Sequence, residues 1–284
     1  MNCRAPEEHG REFHFSHSLS VFFPAYNDAP SLPALIETTV ETLHRLVADY
    51  EIIVINDGST DSTAEVLSEL EARHSPYMRV VTHSRNLGYG RALRSGFSAA
   101  TKEYVFYTDG DGQYDPRELE VLLRASGPGV GLVNGYKTTR QDPWHRIAIG
   151  WIYNRFARWL FRISVRDIDC DFRLIRRSDF DFSQLHSTGG TVCVELVRTL
   201  ELSGAEVVEV PVSHYPRRYG RSQFFRVKSL ATTLVELGKV FCRLVLVPFL
   251  FGQATPNVSG SLLRRFRKLV LIIGALDIMD IPSL

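Results

Sequence analysis

The sequence predicts an α/β protein built on a mostly parallel β-sheet with helices on both faces. Three observations support this fold class. Segments typical of strands and of helices alternate along the first 110 residues, the connections between them are short, and the second strand is a continuous apolar run. Strands that are buried on both faces have such runs, and strand–helix alternation favours right-handed βαβ units.

The elements follow one another from residue 19 onward. Strands are expected at 19–25 (LSVFFPA), 51–57 (EIIVIND), 78–84 and 103–109, and helices at 31–48, 62–74 and 90–100. Ser31 is expected to be the N-cap of the first helix, with Pro33 in its first turn. Ser62 and Glu65 have the spacing of a capping box, which predicts the start of the second helix.

Composition narrows the class of protein. The chain has 284 residues, of which 44% are hydrophobic and 23% are charged, and its formal net charge is +1. A near-neutral chain of this kind gives no electrostatic support for nucleic-acid binding. The four cysteines have no metal-ligand spacing and are expected to be reduced, as in the cytosol. Residues 1–18 are polar and are expected to be a disordered lead-in without the pattern of a signal peptide.

Polar clusters follow three of the predicted strands. They lie at 24–28 (PAYND), 56–59 (NDGS) and 109–111 (DGD). Ligands of open α/β sheets bind in the crevice beyond the carboxyl ends of the strands. We therefore expect the three clusters to meet at one edge of the sheet.

Asp109 and Asp111 are separated by Gly110, so both carboxylates can reach one divalent cation. Such a cation is typically held by one or two carboxylates and by substrate phosphates. A solvated acidic loop is the common alternative for an isolated D-x-D. Residues 109–120 also match several ligand positions of an EF-hand loop, but Tyr114 stands where that loop needs glycine, and a strand precedes the motif. We therefore reject the calcium loop.

Four segments in order, FFPAYND, VINDGSTDST, RNLGYGRALRSGF and YTDGDGQYDP, resemble the nucleotide-sugar domain of family 2 glycosyltransferases of the GT-A (Rossmann-like) fold. Two later segments, 167–177 (DIDCDFRLIRR) and 209–225 (EVPVSHYPRRYGRSQFF), resemble the polyprenyl-phosphate branch, which contains dolichyl-phosphate mannosyltransferase. The resemblance covers about residues 19–228. It implies inverting transfer of a sugar from a GDP- or UDP-sugar to a polyprenyl phosphate, with Mg²⁺ or Mn²⁺ as cofactor.

The resemblance also implies roles for matching residues. The nucleoside diphospho-sugar would be bound by Pro24, Tyr26, Asp28, Ile55, Asp57, Asp109, Gly110, Asp111, Gln113 and Lys137. The metal would be held by Asp109, Asp111 and Gln113, and the acceptor phosphate by Arg217, Arg221 and Ser222. Asp111, Asp171 and Arg217 would be the catalytic residues.

This chain departs from the family pattern at three of these places. Asp28 stands where glutamate is usual, and Lys137 where arginine is frequent. Gln223 replaces the last cation of an R-x-x-G-x-S-K pattern, a charge that Arg221 or Arg226 could supply.

Some of these residues also have simpler explanations. The turn that begins at Asp57 could only lead into a helix, and Arg217 could belong to a solvated basic loop. Asp171 matches a position proposed as a base in relatives, or it could pair with Arg173 or Arg176. A phosphate acceptor has a second pKa of about 6 and is mostly dianionic near pH 7. It therefore needs placement more than deprotonation, and we expect Asp171 to orient arginines.

A lipid acceptor requires a surface that faces a membrane. Residues 144–163 hold all three tryptophans, seven and eight residues apart, with five histidines and arginines. This composition predicts either an interfacial amphipathic helix or a core-packing helix with a basic outer face. The segments 240–252 and 268–280 are apolar but shorter than the roughly 20 residues of a spanning helix. We expect a membrane-associated helical tail at 229–284, on the cytoplasmic face of a membrane.

Two other functions remain open from the sequence. One is a glycosyltransferase whose acceptor is a polysaccharide or a glycolipid. The other is a non-catalytic nucleotide-sugar-binding scaffold on a membrane.

Overall fold

The structure is a computed structural model that describes residues 13–138, 144–217, 219 and 227–250. Within these residues the strands are β1 Leu19–Ala25, β2 Tyr50–Asn56, β3 Met78–Thr82, β4 Tyr104–Thr108, β5 Val130–Lys137, β6 Phe172–Arg176 and β7 Glu206–Val212. The α-helices are α1 Leu32–Leu46, α2 Thr63–His74, α3 Tyr89–Ala99, α4 Leu119–Ala125, α5 Trp144–Phe161, α6 Val192–Leu202, α7 Val227–Phe241 and α8 Val247–Leu250. A π-helical turn, Cys242–Leu246, joins α7 to α8.

The described strands form one sheet in the order β3-β2-β1-β4-β6-β5-β7. Strand β6 is antiparallel to β4 and β5, and every other pair is parallel. The carboxyl ends of β1, β2, β4, β5 and β7 therefore lie at the same edge as the start of β6. This edge collects the polar segments that the sequence singles out, and the predicted mostly parallel α/β fold is confirmed.

Apolar residues cover both faces of the sheet. Along β1 and β2, Phe23 and Val54 face the cluster that contains α1, α2 and α4. Their neighbours Phe22 and Ile53 face the cluster that contains α3, α5, α6 and α7. Successive strand side chains point to opposite faces, so a strand with helices on both sides needs apolar residues at every position. This explains the unbroken apolar run at 52–55.

One of the two predicted helix starts is confirmed in position, and the predicted capping box at the other is not. The side chain of Ser62 makes no capping bond, so the predicted capping box is wrong; Asp61 Oδ1 instead accepts from the Thr63 backbone N–H at 3.0 Å. Ser31 holds the N-cap position of α1, but its hydroxyl donates to the Gly110 carbonyl at 2.8 Å. Ser31 thus joins the start of α1 to the D-x-D motif.

The folded unit begins before residue 19. Phe15 is buried, its N–H donates to the Leu46 carbonyl at 2.7 Å, and it bridges to Val47. Residues 13–18 therefore pack on the fold, which corrects their assignment to a disordered lead-in. Burial of the Phe15 ring against α1 is the physical reason.

The segment that starts at residue 227 also packs on the domain. Leu237, Phe241 and Val245 are buried in the same cluster as α5 and α6. The boundary predicted at 228–229 therefore falls inside α7. Among the described helices, none combines the length and the hydropathy that a membrane crossing requires. The second apolar segment, 268–280, lies outside the described residues.

Candidate active site

The D-x-D motif lies against the end of β1. The Gly110 N–H donates to the Pro24 carbonyl at 3.2 Å, and the Ser31 hydroxyl donates to the Gly110 carbonyl. A Cβ atom added at Gly110 would lie 2.9 Å from the Pro24 oxygen, which is too close for a side chain. The glycine between the two aspartates is therefore required by the approach of two chain segments.

The loops after β1 and β2 are also joined. Asn27 has a φ of +57°, its N–H donates to the Ser59 hydroxyl at 3.0 Å, and its side-chain oxygen accepts from the Thr60 N–H at 2.8 Å. The Asp28 N–H donates to the Thr63 hydroxyl at 3.1 Å. The three predicted polar clusters therefore meet at one edge, as expected.

Asp28 lies in the loop between β1 and α1, and its pKa is raised. Its Oδ2 accepts from the Tyr26 N–H at 3.0 Å. The pKa of Asp28 is raised to about 6, chiefly by burial; the nearby Asp111 contributes to the rise, while the Tyr26 hydrogen bond and Arg217 oppose it. A carboxyl group that loses its charge this easily is short of positive partners.

Asp109 is likewise short of positively charged partners. Burial raises the pKa of Asp109 well above its ordinary value, and Asp171 and Asp111 add to the rise. Tyr89 opposes it, because its hydroxyl donates to Asp109 Oδ1 at 2.8 Å. Asp28, Asp109, Asp111 and Asp171 therefore form an acidic cluster whose members destabilise one another's charges.

Arg217 is a cation that the described residues bring to this cluster. Its guanidinium donates to Asp111 Oδ2, and it also lowers the pKa values of Asp28 and Asp109. The Asp111 side chain is only 5% exposed and that of Arg217 is 29% exposed. The solvated acidic loop is therefore wrong for Asp111, and the ion pair favours a site role for Arg217, which stays a prediction. Arg221 and Ser222 lie outside the described residues.

The donor set suits a hard divalent cation. Asp109 and Asp111 supply carboxylate oxygens, and the acidic cluster carries more negative than positive charge. Among the described residues, no group of three or more acidic, histidine or cysteine side chains has the geometry of a complete metal site. Two carboxylates that need further ligands match a cation completed by substrate phosphates and water. The pair fits the predicted Mg²⁺ or Mn²⁺.

Gln113 connects the D-x-D motif to the loop after β7. Its N–H donates to Asp111 Oδ1 at 3.0 Å, and its side-chain amide donates to the Tyr215 carbonyl at 3.0 Å. The Tyr215 N–H donates back to the Gln113 carbonyl at 2.8 Å. These bonds hold the loop that carries Arg217 beside Asp111. A metal-binding role for Gln113 stays a prediction.

Asp171 is fixed by a buried arginine. Arg173 is completely buried, and its NH1 group donates to Asp171 Oδ1 at 3.0 Å. The Cys193 thiol donates to the same oxygen at 3.0 Å. The other partners of Arg173 are neutral, namely Asn134 Oδ1, the Tyr107 hydroxyl and the Ile168 carbonyl. Asp171 is therefore the carboxylate counterion of a guanidinium that has no access to water.

Ile55 and Asp57, both expected at the nucleoside, are buried in the structure. Ile55 is completely buried in the core, so its side chain does not reach the crevice, and a nucleoside contact at this position stays a prediction. Asp57 is 3% exposed, and its carboxylate accepts from the N–H groups of Leu87 and Gly88, both at 2.9 Å. Its described role is to hold the turn before α3, and a nucleoside contact stays a prediction.

The remaining donor-site candidates lie at the same edge. Pro24 is buried and contributes its carbonyl to Gly110, while Tyr26 is partly exposed in the following loop. Lys137 ends β5, and its ammonium donates to the Asp169 carbonyl at 2.6 Å. Their contacts with a donor stay predictions.

Helix α5 packs on the sheet with one face and exposes the other. Its inner face carries Asn154, whose amide donates to Asp167 Oδ1 at 3.2 Å, beside the segment that leads to Asp171. Its outer face exposes Trp151 (63%), Ile152 (60%) and Trp159 (53%). The helix predicted at 144–163 is confirmed over Trp144–Phe161. Its inner residues pack in the core and its outer face carries both tryptophan and arginine side chains, so an interfacial helix and a core-packing helix with a basic outer face both stay predictions.

Sequence reasoning missed Tyr89. The residue lies inside the RNLGYGRALRSGF segment, whose glycines carry the resemblance to the family. The available signal was a hydroxyl-bearing residue directly after a glycine turn at the start of a helix, which is the end of α3 that faces the crevice.

Comparisons with known proteins agree with this arrangement. Residues 20–182 match the family model described as glycosyl transferase family 2. The chain is 31% identical over 221 residues to the undecaprenyl-phosphate 4-deoxy-4-formamido-L-arabinose transferase of Enterobacter sp. (strain 638), covering 77% of this chain and 67% of that protein.

Solved structures are similar in fold. Glucosyl-3-phosphoglycerate synthase from Mycobacterium tuberculosis in complex with Mn²⁺ and UDP-glucose has a TM-score of 0.61 at 20% identity, over 81% of this chain and 79% of that one. The same enzyme in complex with phosphoglyceric acid has a TM-score of 0.61 at 20% identity, over 81% and 80%. The predicted GT-A fold and the resemblance to the polyprenyl-phosphate branch are therefore confirmed. The chain belongs to glycosyl transferase family 2 and is a glycosyltransferase.

Proposed function

We propose that this glycosyltransferase transfers a sugar from a nucleoside diphospho-sugar to a polyprenyl phosphate at a membrane surface, with a divalent cation and with inversion at the anomeric carbon. The observation that carries the proposal is the acidic cluster at the sheet edge, with Arg217 held on Asp111. The two charge types suit the two phosphate-bearing substrates, one through a cation and one through an arginine.

The donor side rests on Asp109 and Asp111. Their hard oxygen atoms and the raised pKa of Asp109 favour a bound cation, because a second positive charge would relieve the repulsion among the carboxylates. When bound, such a cation would stabilise the charge that develops on the leaving diphosphate. The similar solved structure in complex with Mn²⁺ and UDP-glucose supports this choice of ligands, with UDP- and GDP-sugars both open for this chain.

The acceptor side rests on Arg217 and Asp171. A phosphate monoester is mostly dianionic near pH 7 and is already nucleophilic. Arg217 suits the placement of this anion, since guanidinium groups bind phosphate through paired hydrogen bonds. Asp171 is occupied by Arg173 and Cys193, which favours an orienting role over proton abstraction. Direct attack on the anomeric carbon inverts its configuration.

A membrane location rests on the outer face of α5. No acidic residue occurs at 144–166, and the exposed Trp151 and Trp159 flank Arg155 and Arg158 along a groove of about 530 Å³. Aromatic and basic side chains on one helix face suit the interface of an anionic bilayer. The identity with an undecaprenyl-phosphate transferase supports a lipid acceptor. The reduced state expected for the cysteines favours the cytoplasmic face.

Transfer of labelled sugar tests the proposal. The intact chain is incubated with labelled UDP- or GDP-sugars, Mn²⁺ or Mg²⁺, and polyprenyl phosphate in liposomes. We expect label in a lipid-extractable product that mild acid releases. Label in a polysaccharide or in an acid-stable glycolipid would favour the other acceptors, and donor binding without transfer to any acceptor would favour the scaffold.

A further inference from the structure

Tyr89 touches a carboxylate of the D-x-D motif from outside the motif. Its hydroxyl donates to Asp109 Oδ1 at 2.8 Å. Within the part of the chain that the structure describes, Asp109 Oδ2 has no hydrogen-bond partner. One oxygen of the carboxylate is thus fixed by protein while the other remains available.

The position of Tyr89 is set by the turn in front of α3. Tyr89 is the first residue of the helix, and Gly88 at the N-cap has a φ of +94°. The Gly88 N–H donates to Asp57 Oδ2 at 2.9 Å, and the Gly90 N–H donates to the Thr188 carbonyl at 2.8 Å. A Cβ atom at Gly90 would lie 2.2 Å from the Ser187 oxygen. The start of α3 is therefore pressed against residues 187–188.

Those residues belong to a strap, defined here as residues 185–191, that α7 holds from the other side. The hydroxyls of Thr188 and Thr191 both donate to the Glu236 carboxylate, each at 2.7 Å. At the same strap, the Ser187 N–H donates to the buried Glu195 at 2.8 Å. A continuous set of contacts thus runs from Glu236 through the strap and Tyr89 to Asp109.

We propose that Tyr89 is a positioning residue for Asp109 and that Glu236, acting through the strap, seats Tyr89. The proposal rests on the proposed cation at Asp109 and Asp111. A carboxylate whose orientation is fixed loses less conformational freedom when a cation binds. The contact of Glu236 with the strap also links the proposed cation site to α7, the helix that follows the loop carrying Arg217.

Binding of Mn²⁺ in the presence of UDP or GDP, followed by the electron paramagnetic resonance signal of free Mn²⁺, tests the proposal without relying on turnover. Tyr89→Phe should keep its fold and weaken Mn²⁺ binding by about 10-fold, the lower end of the range for losing a partner of a metal ligand. Tyr77→Phe removes the hydroxyl of a tyrosine that is 47% exposed and should bind Mn²⁺ like the unaltered chain. Asp109→Asn should abolish binding.

A double-mutant cycle tests the role of Glu236. Glu236→Gln should weaken Mn²⁺ binding by itself and add nothing in the Tyr89→Phe chain, since both changes act through one hydrogen bond. Glu41→Gln, at an exposed glutamate of α1, is the matched control.

Three outcomes overturn the proposal. If the unaltered chain and Tyr89→Phe bind Mn²⁺ equally while Asp109→Asn does not, Tyr89 does not position Asp109. If Glu236→Gln and Tyr89→Phe have additive effects, the strap does not act through Tyr89. If the unaltered chain binds no Mn²⁺ with either nucleotide, the proposed cation fails and this inference fails with it.

Discussion

Replacing Asp171 with asparagine separates an orienting role from a catalytic base. The change leaves the Arg173 guanidinium completely buried with only neutral partners. Breaking a buried ion pair by removing one partner costs about 3–5 kcal/mol. The asparagine oxygen still accepts hydrogen bonds, and loss of the charge relieves repulsion of Asp109, so we expect the lower end, about 3 kcal/mol. In a domain of this size that lowers the melting temperature by about 6–12 °C.

Thermal unfolding and the pH dependence of transfer together give the assay. At a temperature where the variant is folded, we expect a raised KM for the acceptor and a surviving acidic limb near the acceptor pKa of about 6. Asp49→Asn is the control, because its pair with Lys102 is at the surface and should be worth at most about 1 kcal/mol. The reasoning is refuted if Asp171→Asn is as stable as the unaltered chain, or if it abolishes transfer and removes the acidic limb.

Three further predictions concern the crevice and the surface. Asp28→Asn should be more stable than the unaltered chain at pH 8 and equally stable near pH 4. The pKa of Asp28 is raised from its ordinary 3.8 to about 6, chiefly by burial. The stability that its protonated form contributes is therefore present below pH 3.8 and lost as the pH rises through 6. Melting curves across this range check it, and equal stability at pH 8 would contradict it. Arg217→Gln should raise the affinity for Mn²⁺ in the absence of donor, because it frees the carboxylate that the guanidinium contacts, and should weaken acceptor binding by about 1.5–3 kcal/mol. Calorimetry and acceptor kinetics check both effects, and unchanged values would refute the role of Arg217. Replacing Trp151 and Trp159 with serine should reduce flotation with anionic liposomes without lowering the melting temperature, since both rings are exposed; undiminished flotation would exclude this helix face as the membrane contact.

The sequence was sufficient for the first half of the fold. The apolar run at 52–55 and the helical spacing between strands are local signals, and they correctly predicted β1 to β4 and the helices between them. The position of the D-x-D motif then followed from the general rule for parallel sheets. Strand β6 carried no such local signal. It runs antiparallel between β4 and β5, and this position depends on strands from which long connections separate it.

Features that the sequence could not reveal depend on partners that are distant along the chain. The Ser31 hydroxyl has carbonyl partners at Asp28 and at Gly110, and the second lies 79 residues away. Arg173 draws its partners from β4, β5 and the loop before β6, and only the assembled sheet brings them together. The side chain of Ile55 is buried because helices cover the sheet face to which it points, and a local match to a family position carries no information about that burial.

The dependence of transfer on Asp111 and on a cation tests the central claim most directly. Label from a nucleoside diphospho-sugar is followed into polyprenyl phosphate with the intact chain, with the same chain in excess EDTA, and with Asp111→Asn. We expect transfer that EDTA stops and that Mn²⁺ or Mg²⁺ restores, and at least an approximately 100-fold loss in the variant, because a direct ligand should matter no less than the residues that support it. Full transfer in EDTA, or normal turnover by Asp111→Asn, would contradict the account.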